Sequence, residues 1–330
     1  MMSLKLMHAV MNDVAAEGKV IQAILERWAH DPGSARFLRA SANFVFTFTA
    51  DSAPRVLRFN RLEGRNVETT EAELAFVRHL SSKGVPVAQP VLSHFDHDVE
   101  CVSTPLGNCS AAAFEFIPGT QPELAEMTDE QLAAWGSALA TLHNAAAGYS
   151  APNRPGWREH LALAGDSLMA GPEAGRELLR HVRHELKTLP LDDTSSGLIH
   201  FDFEPDNLMW QDAKVWALDF DDCAHYPLVA DIAFALRELF GDHPAGIDFE
   251  DDRFKMFVGG YRTVRIVSDE ELAHMPLCLA AHNLLSYTRL KRTLADSPDP
   301  DEPGWLVELR RRLEDKVAQY EQGFANAITH

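Results

Sequence analysis

Residues 198–222 decide the fold. They read Leu-Ile-His-Phe-Asp-Phe-Glu-Pro-Asp-Asn-Leu-Met-Trp over 198–210 and, after Gln211-Asp212-Ala213, Lys-Val-Trp-Ala-Leu-Asp-Phe-Asp-Asp over 214–222. The apolar pair Leu198-Ile199 leads into His200-Phe201-Asp202, a polar turn carries Asn207, and an alternating strand from Val215 to Leu218 delivers Asp219. Groups able to hold a proton or a metal therefore sit at the ends of short strands. Asp and Asn are also ordinary turn formers, so this spacing alone leaves a purely structural reading open.

Outward from this stretch the texture differs on its two sides. After Gly119 it is mostly helical: 130–144 carries Leu132, Trp135, Leu139 and Leu142 at helical spacing, and 173–188, 228–241, 269–294 and 305–326 behave likewise. Asp231, near the start of one of these helices, reads locally as an N-cap. The turn-rich run Asp296-Ser-Pro-Asp-Pro-Asp-Glu-Pro reads as a loop between two helices. Before Gly119, a packing helix over 20–28 gives way to strands at 43–49 and 55–59, joined by Asp51-Ser-Ala-Pro as a hairpin. A helix over 71–80 and strands at 87–93, 99–103 and 111–117 follow. The expectation is an α+β chain of two lobes: a β-rich lobe over 1–115, a linker over 116–120, and a larger α-rich lobe over 121–330.

Composition sets the outer limits. The 330 residues are 46% hydrophobic and 24% charged, an ordinary globular balance with length enough for a large core. Forty-nine acidic against 30 basic residues give a formal charge of -19, which argues against nucleic acid and anionic membranes as partners and suits a cationic or metal-bridged ligand. The same carboxylates also serve solubility. Cys101, Cys109, Cys223 and Cys278 show no C-x-x-C spacing, and no signal-peptide core or membrane-length apolar stretch occurs, so a cytoplasmic protein with free thiols is expected. His181-x-x-His184-Glu185 has the wrong order for zinc chemistry, and no Walker loop or Gly-x-Ser-x-Gly elbow is present.

His200-x-Asp202-x4-Asn207, followed twelve residues after Asn207 by Asp219-Phe220-Asp221, resembles the catalytic and metal segments of the protein-kinase-like fold, and is similar above all to the aminoglycoside phosphotransferase and choline kinase family of small-molecule kinases. The resemblance implies that the γ-phosphate of ATP passes, with Mg2+, to a hydroxyl of a small-molecule acceptor. It assigns Asp202 as catalytic base, Asn207 and Asp219 as metal ligands, and His200 as a buried structural residue. Arg58 falls where the family carries a strand lysine against the phosphates, and Glu73 where it carries the helix carboxylate that pairs with that base, with Glu71 near enough to compete. Ser41 and Asn43, within Ala40-Ser-Ala-Asn-Phe44, fall at the phosphate loop; the Glu115 carbonyl and Ile117 amide fall at the adenine-binding linker. For Asp231 the family adds a buried contact bracing the catalytic loop.

The departures are Arg58 for lysine, Phe201 for a small residue, and Asp221 for the glycine of Asp-Phe-Gly. Asp221 and Asp222 read equally as aids to a second magnesium or a substrate amine and as solvated turn residues. Arg58 and Asp221 together motivate a second reading, a nucleotide-binding pseudokinase without transfer activity.

Overall fold

The computed structural model of the chain describes residues 2–16, 18–62, 66–192, 194–212, 214–241, 243–298 and 302–327. They cluster into two compact units. One is built from residues up to Arg78, Ala88–Phe116 and Arg289–Val317; the other from His79–Val87, Ile117–Thr288 and the residues from Ala318 on. The division between Phe116 and Ile117 falls within the linker expected at 116–120. A continuous C-terminal lobe over 121–330 does not form, because Arg289–Val317 associates with the first unit.

The first unit opens with helices α1 (Leu4–Ala16) and α2 (Lys19–Leu25). Its sheet is antiparallel, formed by β1 (Arg36–Ala40), β2 (Phe44–Ala50), β3 (Ala53–Arg61), β4 (Pro90–Val91), β5 (Glu100–Thr104) and β6 (Gly107–Glu115) in the order β1-β2-β3-β6-β4, with β5 also on β6. Helix α3 (Val67–Ser82) lies between β3 and β4 in sequence. Alternation along β2 and β3 turns Phe44, Phe46, Phe48, Leu57 and Phe59 inward, where they meet Val20, Ile24 and Trp28 of the α2 region. Phe44 and Phe46 both stack on Phe59, with centroids 5.2 and 5.9 Å away, and each such buried ring contributes about 1.5–3 kcal/mol. The strand expected over 87–93 shortens to Pro90–Val91, with Pro90, which has no N–H to donate, as its first residue opposite Phe114 of β6.

In the second unit come α4 (Asp129–Ala146), α5 (Trp157–Leu168), α6 (Glu173–Thr188), then strands β7 (Ser196–Ile199), β8 (Leu208–Gln211), β9 (Lys214–Ala217) and β10 (Ala224–Pro227), then α7 (Leu228–Ala235) and α8 (Asp252–Arg262). Helices α9 (Asp269–Leu272), α10 (Met275–Thr293) and α11 (Gly304–Asn326) complete the chain. Thr128 caps α4 through a capping box with Gln131. Against it lies α8, with Trp135 edge-on to Phe257 at 4.9 Å and with Gly136 and Gly260 where the backbones approach.

Two of the helices expected from periodicity are broken. The run 269–294 divides into α9 and α10 because Pro276 has no N–H to continue the ladder and instead occupies the first turn of α10. The run 228–241 leaves the α-helix after Ala235 and tightens into a 3₁₀ turn over Arg237–Phe240, which stops at left-handed Gly241. Within the connector expected at 296–303, residues 299–301 lie outside the described residues. Among the described residues no helix is long and apolar enough to cross a membrane.

Candidate active site

Local pairing folds residues 198–222 into two small antiparallel ladders. β8 and β9 form a hairpin that sets Leu208 opposite Ala217, and Leu218 N–H donates to the Asn207 carbonyl at 2.9 Å, so a long loop in sequence closes to one hydrogen bond. β7 pairs with β10, Ile199 opposite Ala224, which returns the chain beside His200. His200 joins the two turns. Its Nδ1 accepts from Asp202 N–H at 3.2 Å, which leaves the proton on Nε2 to donate to the Leu218 carbonyl at 2.9 Å. The ring is fully buried, and burial lowers its pKa against the opposing pull of Asp231 and Asp202, keeping it neutral. The structural role implied for His200 is the one its hydrogen bonds describe.

The backbone of this loop is held in sparsely populated conformations. Phe201 and Asp219 both have positive φ, 76° and 56°, which costs about 1–3 kcal/mol each and persists only where the surroundings over-determine it. Asp231 supplies that restraint: its Oδ2 accepts from His200 N–H at 2.9 Å and its Oδ1 from Phe201 N–H at 2.8 Å. Asp231 is not the N-cap of α7, whose cap is Pro227; it sits inside the helix, fully buried. His143 on α4 contacts the same carboxylate at 3.1 Å and Tyr261 on α8 at 2.8 Å. Burial pushes the Tyr261 phenol up, so it remains a donor.

Asp202 is half-buried and pinned at both carboxylate oxygens. Asn207 Nδ2 donates to Oδ2 at 2.8 Å and to the Asp202 carbonyl at 3.0 Å; Arg237 Nη2 donates to Oδ1 at 2.8 Å. Burial would raise the Asp202 pKa, but the charge and hydrogen bond of Arg237 prevail, and the carboxyl is held below its ordinary value. Asn207 Nδ2 is engaged by Asp202, so the atom of this side chain able to ligate a cation is its oxygen. That oxygen and the Asp219 carboxylate are hard donors of the kind magnesium selects. Among the described residues no cluster of three or more His, Cys, Asp and Glu side chains is arranged to hold a metal, so the ion these two suit would keep water or phosphate oxygens in its shell.

Two residues that the motifs do not reveal complete the site. Arg237 also donates to Glu204 and, through Nη1, to the Phe234 carbonyl at 3.0 Å. Its only sequence signal is a single cation after the run 228–236, which is apolar apart from Asp231. Arg154, buried in the loop before α5, donates to the carbonyls of Cys223 at 2.8 Å and Asp221 at 2.5 Å and so fixes the turn after Asp219. Nothing in the sequence around Arg154 marks it. Asp221 is itself buried, which removes the solvated-turn reading for that residue.

In the first unit, β3 directs Arg58 inward to Glu73 of α3, Nη2 to Oε2 at 2.7 Å, with both side chains buried and the guanidinium over the Phe114 ring at 5.1 Å. Glu71, two residues earlier, is on the exposed face of α3, so helix phase settles which carboxylate pairs. Removing one partner of such a pair strands a buried charge and costs about 3–5 kcal/mol. Ser41 is exposed on the β1–β2 turn, whereas Asn43 is buried; Asn60 Nδ2 donates to the Ala42 carbonyl at 2.6 Å and to Asn43 Oδ1 at 3.4 Å. Glu115 ends β6, its N–H donating to the Gln89 carbonyl at 2.9 Å, and Ile117, in the second unit, is buried.

The sequence profile of the phosphotransferase enzyme family matches residues 34–267. An amicoumacin kinase of Bacillus subtilis is 24% identical over 322 residues, covering 93% of this chain and 95% of that protein. A homoserine kinase of Granulibacter bethesdensis is 30% identical over 230 residues, covering 66% of this chain and 68% of the relative. The solved structure of amicoumacin kinase hAmiN in complex with AMP-PNP, Ca2+ and Ami superposes with a TM-score of 0.73 at 25% identity, covering 91% of this chain and 94% of that one. Profile, relatives and three-dimensional likeness agree, and the chain belongs to the phosphotransferase enzyme family.

Proposed function

We propose that this small-molecule kinase transfers the γ-phosphate of ATP to a hydroxyl of an amine-bearing acceptor, with Asp202 as the base. The observation that carries the reading is the hydrogen-bonded chain Asp202–Asn207–Leu218–His200–Asp202, which braces Asp202 and Asn207 in one loop and ties in Leu218, the neighbour of Asp219. Asp202 orients the acceptor hydroxyl and takes its proton as the oxygen bonds to the γ-phosphorus and the bond to the β-phosphate oxygen breaks, releasing ADP. Asn207 and Asp219 would hold Mg2+, which neutralises charge on the phosphate oxygens. In the first unit, which we read as the nucleotide-binding lobe, Arg58, fixed by Glu73, serves the phosphates in place of lysine. Ser41 and Asn43 serve the phosphate loop, and main-chain groups of Glu115 and Ile117 serve adenine.

Support for an amine-bearing acceptor comes from the charge of -19 and from Glu204 and Asp222 near Asp202 in the same loop system. Relatives named for amicoumacin and homoserine are in keeping with such acceptors. Nothing in the site favours the pseudokinase reading, since Asp202, Asn207 and Asp219 are all present, with Asp202 and Asn207 hydrogen-bonded to each other. The test is transfer from labelled ATP across homoserine, aminopropanol, choline, amicoumacin and aminoglycosides. Asp202→Ala should lower transfer about 10²–10⁴-fold, and retention of wild-type transfer would remove Asp202 as base.

A further inference from the structure

One short element grips the proposed catalytic loop at two levels. From α7, Asp231 holds the His200 and Phe201 amides; from the 3₁₀ turn that follows, Arg237 holds the Asp202 carboxylate. Arg237 is 15% exposed and its side chain is itself fixed from two directions, by the Phe234 carbonyl on Nη1 and by Glu204 on Nη2. At 34% exposure, the Asp202 side chain is not fixed against rotation by enclosure alone. What fixes it is the pair of restraints on its two oxygens, Asn207 on Oδ2 and Arg237 on Oδ1. The Asn207 restraint comes from within the loop, and the Arg237 restraint reaches it from 35 residues away.

We infer that Arg237, with Glu204 as its second anchor, is a positioning residue for phosphoryl transfer: it holds the Asp202 carboxylate in the orientation that meets the acceptor hydroxyl. The inference rests on the kinase reading above and adds a residue to it. Two physical consequences follow. A misplaced carboxylate weakens the alignment of the reacting groups and leaves the binding of nucleotide and acceptor largely intact, so the loss belongs in kcat. Lysine at 237 keeps a charge but lacks the planar fork that serves two carboxylates and a carbonyl together, so its rescue is partial.

The experiment compares Arg237→Met, Arg237→Lys and Glu204→Gln, each alone and combined with Asp202→Asn. Transfer is measured with the best acceptor of the panel, and ATP hydrolysis with water as acceptor. Arg237→Met should lower kcat about 10–100-fold, with KM for ATP and acceptor changed less than about threefold. Arg237→Lys should recover part of that loss, and Glu204→Gln should lose less than Arg237→Met. In the Asp202→Asn background, Arg237→Met should add less than about twofold, because the orientation it secures no longer matters. Crystal structures of the wild type and Arg237→Met should show the Asp202 carboxylate leaving Asn207 or splitting between rotamers in the variant. Should Arg237→Met fail to fold, the same comparison with Arg237→Lys decides.

An unchanged kcat would overturn the inference, as would losses that multiply with Asp202→Asn, a change confined to the acceptor KM, or an Asp202 rotamer unmoved in the variant crystal. A wild type inactive toward every acceptor and toward water would sink the kinase reading instead, and the crystallographic comparison would still decide the role of Arg237.

Discussion

His200 illustrates how a single side chain organises a site without touching its chemistry. Its two nitrogens span the turns that carry Asp202 and Asp219, which requires the neutral ring. The sign of the resulting pH dependence follows from linkage. Burial lowers the folded pKa below that of the unfolded chain, about 6.5, so as pH falls through that value the unfolded state binds a proton that the folded state refuses. Stability is therefore full above the unfolded pKa and declines below it, by up to about 1.4 kcal/mol per pH unit for one proton. Urea unfolding between about pH 7.5 and about pH 5.5, roughly one unit either side of that value, should show this decline in the wild type and a shallower one in His200→Gln. Equal slopes would mean that His200 titrates alike in both states. At this scale the sequence was informative where groups are neighbours: Asp202 and Asn207 lie five residues apart and meet through one short turn. It was silent on Arg154 and Arg237, whose partners lie 67–69 and 33–35 residues away and are supplied by packing.

Among the elements, α8 shows why a helix can be hidden by its own composition. A Gly-Gly pair is a general turn signal, yet Gly259 and Gly260 both lie within α8, and neither α8 nor α5 is among the helical segments expected from the sequence. Gly260 is there for approach: a Cβ added to it would lie 1.9 Å from the Ala133 carbonyl oxygen of α4, and one added to Gly136 would lie 1.9 Å from the Phe257 carbonyl oxygen of α8. The two glycines are reciprocal contacts that bring α4 and α8 together, and these helices also carry His143 and Tyr261 to Asp231. Gly259, exposed on the same helix, meets nothing within 4 Å. Gly260→Ala and Gly136→Ala should each destabilise the protein by about 3 kcal/mol or more, because rigid backbone has to shift. Gly259→Ala should stabilise it by up to about 1 kcal/mol, since alanine is the better helix former. Denaturant midpoints of the three variants measure the contrast, and three equal midpoints would show that the helices separate freely. Helix existence was legible where apolar spacing was regular, as in α4 and α6, and lost where small residues did the packing.

For the molecule as a whole, the α+β architecture was legible because strand and helix periods segregate along the chain near Gly119. The membership of Arg289–Val317 in the first unit was not, since no local pattern reports which distant core a helix joins. The least specific whole-molecule property, the formal charge of -19, bears most on the acceptor. If the acidic surface only confers solubility, acceptor charge is irrelevant to turnover. If it concentrates a cationic acceptor near Asp202 and Glu204, the effect is long-ranged and subject to screening: the Debye length falls from about 30 Å at 0.01 M to about 8 Å at 0.15 M salt. For an amine-bearing acceptor, kcat/KM should then fall about tenfold or more across that range, within the span of electrostatic steering. The N-acetylated form of the same acceptor should start lower and show a flat salt dependence. Acetylation keeps the hydroxyl but removes the cation and adds bulk, so the salt dependence, and not the starting rate, reports the role of charge. Parallel salt curves for the two would assign the negative charge to solubility and leave recognition of the acceptor to the walls of its pocket.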